Sequence, residues 1–283
     1  RVIREMYGFS EDMCFSDWKD LLALPKMADI AVIATSDNLH YEPAMKAISL
    51  GYDLLLEKPV AQTVKECTDI ANAAKEKNVS VLVCHVLRYT PFYKKVKSII
   101  TSGVLGEIVS LDQTECVGNV HFSHSFVRGN WGNIGRSSRM LLQKSCHDMD
   151  ILQWLTGKRC RKINSFGSLS YFNKENCPPE ATERCFDCPL KDCPFNAVNF
   201  YMSRIPKWPT HILNPEPTEE NIAQALRETN YGKCVFKMDN DVVDHQTVNM
   251  EFENGETVVF TMAAFNFSTS IRALTFLPSP LLT

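Results

Sequence analysis

The apolar positions of this chain change their period along its length. Ala31–Ala34 is a short apolar run that stops at the polar turn Thr35-Ser36-Asp37-Asn38. From Tyr41 to Leu50, residues Ala44, Met45, Ala47, Ile48 and Leu50 recur at helical spacing, and Gly51 closes the stretch. Leu54-Leu55-Leu56 and Val79–Cys84 are two further apolar runs. Between them, Thr63–Lys77 sets Val64, Ile70, Ala71 and Ala74 on one helix face and Lys65, Glu66, Lys75 and Glu76 on the other, with Thr63 and Glu66 as a capping-box pair. Shorter helices are expected from Trp18 to Leu24, capped by Ser16 or Asp17, and from Phe92 to Ser102, between Pro91 and Gly103. Continuously apolar strands alternating with helices predict a parallel sheet with right-handed crossovers, covered on both faces.

The texture changes at Ile108. Ile108–Glu115 reads as a longer strand, and a Gly/Asn/His/Arg-rich loop is expected from Val117 to Ser138. A helix spans Cys146–Leu155. The alternating runs Val242–Phe252 and Thr257–Phe265 predict a hairpin turning at Asn254-Gly255. The fold class is therefore α/β, with two domains expected. Residues 1–107 form a Rossmann-like domain, and residues 108–283 form an α+β domain on a large open, mostly antiparallel sheet.

Composition narrows the function. With 45% hydrophobic and 22% charged residues and a net charge of −3, the chain has no basic footprint for nucleic acid. No apolar run reaches the ~18–20 residues of a membrane span. Of the eleven cysteines, Cys14, Cys67, Cys84, Cys116, Cys146, Cys160 and Cys234 are scattered singly, which favours a reducing, cytoplasmic setting over a disulfide scaffold.

Chemistry concentrates at three places. Glu57-Lys58-Pro59 ends the second strand, where open α/β sheets place their ligand crevice. A lysine there can bind or deprotonate a substrate hydroxyl, with Glu57 orienting it and Pro59 holding an extended turn; the plain alternative is a surface lysine at the next helix start. His147, Asp150 and Trp154 share one helix face, so His147 could act as a base oriented by Asp150, or be a structural histidine. Cys177, Cys185, Cys188 and Cys193, set among prolines, suit a tetrahedral thiolate site in a Cys-rich loop at 177–193. Structural zinc is the preferred occupant and an iron–sulfur cluster the second, against disulfides or four unpaired thiols.

Thr35, Asn38 and His40 after one strand, Glu57-Lys58-Pro59-Val60 after the next, Gly106-Glu107-Ile108 and Lys144–Asp150 together resemble the Gfo/Idh/MocA family of NAD(P)-dependent oxidoreductases, which act on sugars, cyclitols and related polyols. The resemblance runs from roughly residue 10 to 270. It implies NAD or NADP as cofactor, held by Thr35, Ser36, Asn38, His40, Glu57, Lys58, Pro59, His85 and Trp131. It also implies Lys58 and His147 as the groups that handle the hydroxyl proton, with Asp150 beside them. Substrate contacts are expected from Lys58, Arg88, Tyr89, His124, Arg128, Lys144 and His147, and the three cations His124, Arg128 and Lys144 hint at a carboxylated or phosphorylated substrate. The loop His121–Trp131 either closes over the nicotinamide or is a solvated connection. The family often carries an aspartate four residues before the histidine; here that position is Gln143, with Lys144 beside it. A homodimer or homotetramer follows by analogy alone.

Two other activities stay open: an NAD-dependent glycosidase working by transient oxidation and elimination, and a non-catalytic sugar-binding protein. The chain opens at Arg1 and contains no GxGxxG, so the first βαβ unit is expected to be missing and the Rossmann domain truncated. Phe276–Thr283 does not continue the family's final strand pattern, which also suggests a fragment.

Overall fold

The structure, a computed structural model, describes residues 2–266 and 271–278. It divides into two compact units, Arg1–His85 and Val86–Thr283. The first holds a three-stranded parallel sheet of β1 (Ile30–Ile33), β2 (Asp53–Leu56) and β3 (Val81–Val83), in that spatial order. Helix α1 (Tyr41–Ser49) connects β1 to β2, and α2 (Val64–Lys77) connects β2 to β3. The predicted capping box forms: the Glu66 N–H donates to Thr63 Oγ1 at 3.2 Å and the Thr63 N–H to Glu66 Oε2 at 3.0 Å.

Ala44, Ala47 and Ile48 of α1 and Ile70 and Ala74 of α2 bury against Ile33, Leu54 and Leu56. The opposite face is open, with Ile30 58%, Val32 63% and Leu82 55% exposed. This corrects the expectation of a sheet covered on both faces. Consecutive strands in neighbouring positions, joined by crossovers of one hand, place both helices on the same side.

The second unit begins with α3 (Pro91–Thr101), capped by Thr90. Its sheet has the order β5-β6-β7-β4-β8, from β4 (Ile108–Gly118), β5 (Cys160–Ser168), β6 (His245–Phe252), β7 (Thr257–Asn266) and β8 (Ile271–Pro278). Only the β4–β7 pairing is parallel; the other three are antiparallel. The β6–β7 hairpin turns at the expected place, with Gly255 at φ +92°. Helix α4 (Cys146–Thr156) buries Ile151, Leu152 and Leu155 against the inward residues Leu111, Val248, Phe252, Val258 and Phe260. The compact units part after His85, rather than at 107/108, because α3 packs on α4: Lys97 Nζ donates to the Trp154 carbonyl at 2.6 Å.

Three other features depart from the sequence expectation. Residues 117–138 fold into short helical turns, Asn119–Phe122, Ser123–Arg128 and Asn130–Gly132, and all of Ser123–Arg128 is buried. Phe122, Phe126 and Val127 anchor this segment in the core. Its glycines serve close approach, since a Cβ at Gly129 would lie 2.8 Å from the carbonyl oxygens of His124 and Ser125. Phe276–Pro278 do belong to a strand, β8, which pairs with β4; residues 279–283 lie outside the described residues. Helix α5 (Glu219–Glu228) and Ala197–Met202 form a small separate core with Cys185, through Tyr201, Ile222 and Leu226.

Candidate active site

The candidate residues fall in two groups, one on each unit. In the first unit they sit at the carboxyl ends of the three strands. Thr35, Ser36 and Asn38 are exposed beyond β1, Glu57 and Lys58 are half-buried beyond β2, and His85 is half-buried beyond β3. Backbone bonds lace these ends together, from the Glu57 N–H to the Ile33 carbonyl (2.9 Å) and from the Cys84 N–H to the Leu56 carbonyl (2.8 Å).

His40 is buried between them. Its Nδ1 lies 2.7 Å from the Pro59 carbonyl and its Nε2 3.1 Å from the Thr35 carbonyl. A neutral ring donates through one nitrogen only, and in the Nδ1–H tautomer that bond ties the segment after β1 to the Glu57-Lys58-Pro59 turn. The Lys58–Pro59 bond is cis rather than an ordinary extended turn. Glu57 accepts the Lys58 N–H at 3.2 Å. Burial, followed by the Glu57 charge, pushes the Cys84 thiol up, so a sulfur sits beside this carboxylate as a neutral group.

In the second unit the expected pairs are rearranged. Asp150 receives a bidentate grip from Arg88, Nε to Oδ2 at 2.7 Å and Nη2 to Oδ1 at 2.5 Å. The carboxylate expected to orient His147 thus also anchors α4 to the turn Val86–Tyr89, and Arg88, expected on substrate, is held in that ion pair. Tyr89 is exposed, and His147 is half-buried in the first turn of α4.

Lys144 is bound into a buried charge network. Its Nζ lies 3.0 Å from Glu115 Oε1; Arg272 Nε lies 2.8 Å from Glu115 Oε2 and 3.0 Å from Asp148 Oδ1; Gln113 Nε2 donates to Asp148 Oδ1 at 2.6 Å. Burial, with Glu115 nearby, raises the Asp148 carboxyl against the pull of Arg272. Glu115, Asp148 and Arg272 were not singled out by sequence reasoning, yet a signal existed. Gln113 and Glu115 occupy the same inward positions of β4 as Leu111, where alternation calls for apolar side chains.

His124 and Arg128 are not presented to a substrate. His124 Nδ1 lies 2.7 Å from Tyr201 Oη, and its ring stacks on Tyr231 at 5.0 Å. Burial, with smaller contributions from His121 and Arg128, drives His124 down to about 3, so it is neutral near pH 7. Arg128 is 2% exposed and donates to the carbonyls of Lys233 (2.8 Å) and Phe195 (2.6 Å). His124, Arg128 and Lys144 therefore do not form the expected patch for an anionic substrate. Trp131 is half-buried against Phe126, with ring centroids 5.7 Å apart.

Cys177, Cys185, Cys188 and Cys193 do not stand together as a preformed ligand set. Among the described residues no group of three or more His, Cys, Asp or Glu side chains is placed to hold a metal ion, and none of the eleven cysteines forms a disulfide. No helix among the described residues is long and apolar enough to cross a membrane.

Comparison with known proteins supplies the context for this geometry. Residues 1–85 match the family described as "Oxidoreductase family, NAD-binding Rossmann fold", Gfo/Idh/MocA. The protein YteT of Bacillus subtilis (strain 168) is 24% identical over 260 residues, covering 90% of this chain and 58% of YteT. The 2,7-anhydro-N-acetylneuraminate hydratase of Escherichia coli (strain K12) is 28% identical over 148 residues, 52% of this chain and 39% of the hydratase. Levoglucosan dehydrogenase, solved with NADH and L-sorbose, shares the fold at a TM-score of 0.64 and 19% identity, over 93% of this chain and 55% of that one. The chain thus spans less than two thirds of the length of these proteins.

Proposed function

Residues 1–85 carry the NAD-binding Rossmann fold of the Gfo/Idh/MocA oxidoreductase family, and on that premise we propose that the protein serves NAD(P)-dependent hydride transfer at a secondary hydroxyl of a sugar, cyclitol or related polyol. One observation carries this reading: a buried histidine, His40, locks the carboxyl ends of β1 and β2 together, beneath a row of accessible polar side chains. Thr35, Ser36, Asn38, Lys58 and His85 fit part of a dinucleotide, at the edge where open parallel sheets bind nucleotides. For the pyrophosphate, the 283 residues contain no GxGxxG turn. When bound, the nicotinamide gives or takes the hydride.

Lys58 is proposed to bind the substrate hydroxyl and to take up or release its proton, held by the cis turn and the His40 clamp. His147 is the proton-handling candidate of the second unit, in a helix held by the Arg88–Asp150 pair one turn further on. Glu115 confines Lys144, so a direct substrate role for Lys144 is better read as positioning. The open outer face of the second sheet, with Phe166 72% and Leu277 56% exposed, supports a homo-oligomer, and cysteines without disulfides among the described residues support a cytoplasmic setting.

The hydratase relative favours a second reading, in which oxidation is transient and the net reaction is an elimination or hydration. Calorimetric titration of the full gene product with NAD(H) and NADP(H), followed by turnover on a panel of sugars and cyclitols, separates the possibilities. Cofactor binding with net NAD(P)H change supports the dehydrogenase. Substrate consumption at constant NAD(P)H supports the transient-redox reading. Failure to bind either nucleotide overturns both and leaves a sugar-binding protein.

A further inference from the structure

Arg128 poses an unanswered charge question. Its side chain is almost fully buried, and among the described residues its guanidinium meets two backbone carbonyls and a sulfur, Cys185 Sγ at 3.8 Å, but no carboxylate. A buried cation without a counter-ion is costly. The anion it faces must come from the groups around it, and those are cysteines.

Four thiols line one small apolar cavity beside Arg128: Cys185, Cys188, Cys193 and Cys234. The cavity has room of about 20 Å³, enough for one water-sized occupant. Cys234 lies far from the other three in sequence, and the backbone brings it there. The Cys185 N–H donates to the Gly232 carbonyl and the Cys234 N–H to the Glu183 carbonyl, both at 2.9 Å, around the antiparallel bridge Arg184–Lys233. A side chain at Gly232 would collide with the Leu226 carbonyl, so only glycine admits this approach.

The local backbone at three of the sulfurs repeats one pattern. Cys188, Cys193 and Cys234 each receive the backbone N–H of the residue two positions on, Leu190, Phe195 and Phe236. Burial raises the Cys193 and Cys234 thiols overall, and these amides, which favour thiolate, the form that binds metal, act against it. Cys177 lacks this arrangement: its thiol points to the Pro178 carbonyl at 3.6 Å, and it does not line the cavity.

We propose that Cys185, Cys188, Cys193 and Cys234 form a structural site for one thiophilic divalent ion, zinc by preference, with Arg128 offsetting the negative charge of the thiolate shell. This replaces Cys177 by Cys234 in the set that sequence spacing suggests. Among the described residues no three of these groups stand ready to hold an ion, so the proposal requires the four side chains to draw together as the ion displaces the thiol protons. A divalent ion on four thiolates carries excess negative charge, which accounts for a buried arginine that has no acid. The room available suits a single ion and is too small for a four-iron cluster. The inference is independent of the hydride-transfer reading.

The test is metal analysis of the full gene product purified without chelators, together with Co(II) titration of metal-stripped protein. The expected result is one zinc per chain and, with Co(II), the intense sulfur-to-metal charge-transfer and d–d bands of a tetrahedral thiolate site. Cys234→Ser should lose the tetrahedral spectrum and bind metal at least tenfold more weakly, whereas Cys177→Ser should keep both. Because Cys234→Ser could unfold, alkylation of the wild-type chain gives a second readout. Cys185, Cys188, Cys193 and Cys234 should be protected until a mercurial releases the ion. A chain without stoichiometric metal that gives no tetrahedral Co(II) spectrum overturns the proposal. So does a disulfide within the set, an iron–sulfur chromophore, or loss of metal in Cys177→Ser with retention in Cys234→Ser.

Discussion

Lys144 Nζ lies 3.0 Å from Glu115 Oε1, on a carboxylate with no exposed surface. Arg272 reaches the other oxygen of Glu115 and also Asp148, so two buried acids face two cations beneath the first turn of α4. Buried ions in such a set are stable only together. Glu115→Gln leaves Lys144 and Arg272 sharing one carboxylate, and should cost roughly 3–5 kcal/mol of stability. Urea unfolding checks this. Lys144→Met in the Glu115→Gln background should restore part of the loss, because it removes one stranded charge. A single-variant cost below about 1 kcal/mol would show that the network is solvated and the charges independent.

The His40 clamp makes a separate prediction for the first unit. His40→Ala removes the ring set between the Thr35 and Pro59 carbonyls and with it the bond to the carbonyl it donates to, at about 1–3 kcal/mol. The same change frees the Glu57-Lys58-Pro59 turn. Nucleotide affinity, measured by calorimetry, should therefore fall by more than in Asn38→Ala, whose side chain is exposed. Equal affinity in wild type and His40→Ala would remove the clamp from the site.

Much of the first unit was legible because its signals are local. Thr63 and Glu66 announce their helix by spacing alone, and the apolar runs at Ala31, Leu54 and Val79 lead to β1, β2 and β3. The burial of one face only was not legible, since the strands Ile30–Ile33 and Asp53–Leu56 are apolar on both sides. In the second unit the determinants are long-range. Strand β5, Cys-Arg-Lys-Ile-Asn-Ser-Phe-Gly-Ser, is exposed at every position, so no alternation marks it. The partners of Arg88, Lys144 and Arg128 lie 62, 29 and 57 to 105 residues away, beyond any reading of neighbouring positions. The segment 117–138 looked like a loop because its glycines serve close packing rather than chain reversal.

Lys58 and His147 can be tested individually once turnover is established. Lys58→Met and His147→Ala should each lower kcat by about 10²–10⁴ while leaving the unfolding midpoint near that of wild type. Lys58→Arg should not recover the rate, because guanidinium cannot give up its proton near neutrality. Wild-type kcat in Lys58→Met would exclude this lysine from proton transfer. A variant lowered only in stability would assign it to the fold.

Acid should find the second unit through its histidines. Burial first, then Lys144, lowers His121 to about 4; burial first, then His121, Arg128 and His211, lowers His124 to about 3. Both folded values lie below the unfolded value near 6.5. The unfolded state therefore binds the proton more readily, and the stability of keeping each ring neutral is complete above about pH 6.5. It is lost as pH falls from there towards the folded values. For His124 the loss reaches on the order of 3 kcal/mol by pH 4, at ~1.4 kcal/mol per unit. Around His124 stand Tyr201, Tyr231 and Trp208, none of which can neutralise an imidazolium. His124→Phe keeps an aromatic ring but abolishes the titration, so its Tm should decline less between pH 6.5 and 4 than that of wild type. Combination with His121→Phe should flatten the profile further. Parallel Tm profiles for wild type and both variants would mean that the rings protonate in place, with water reaching them in the folded protein.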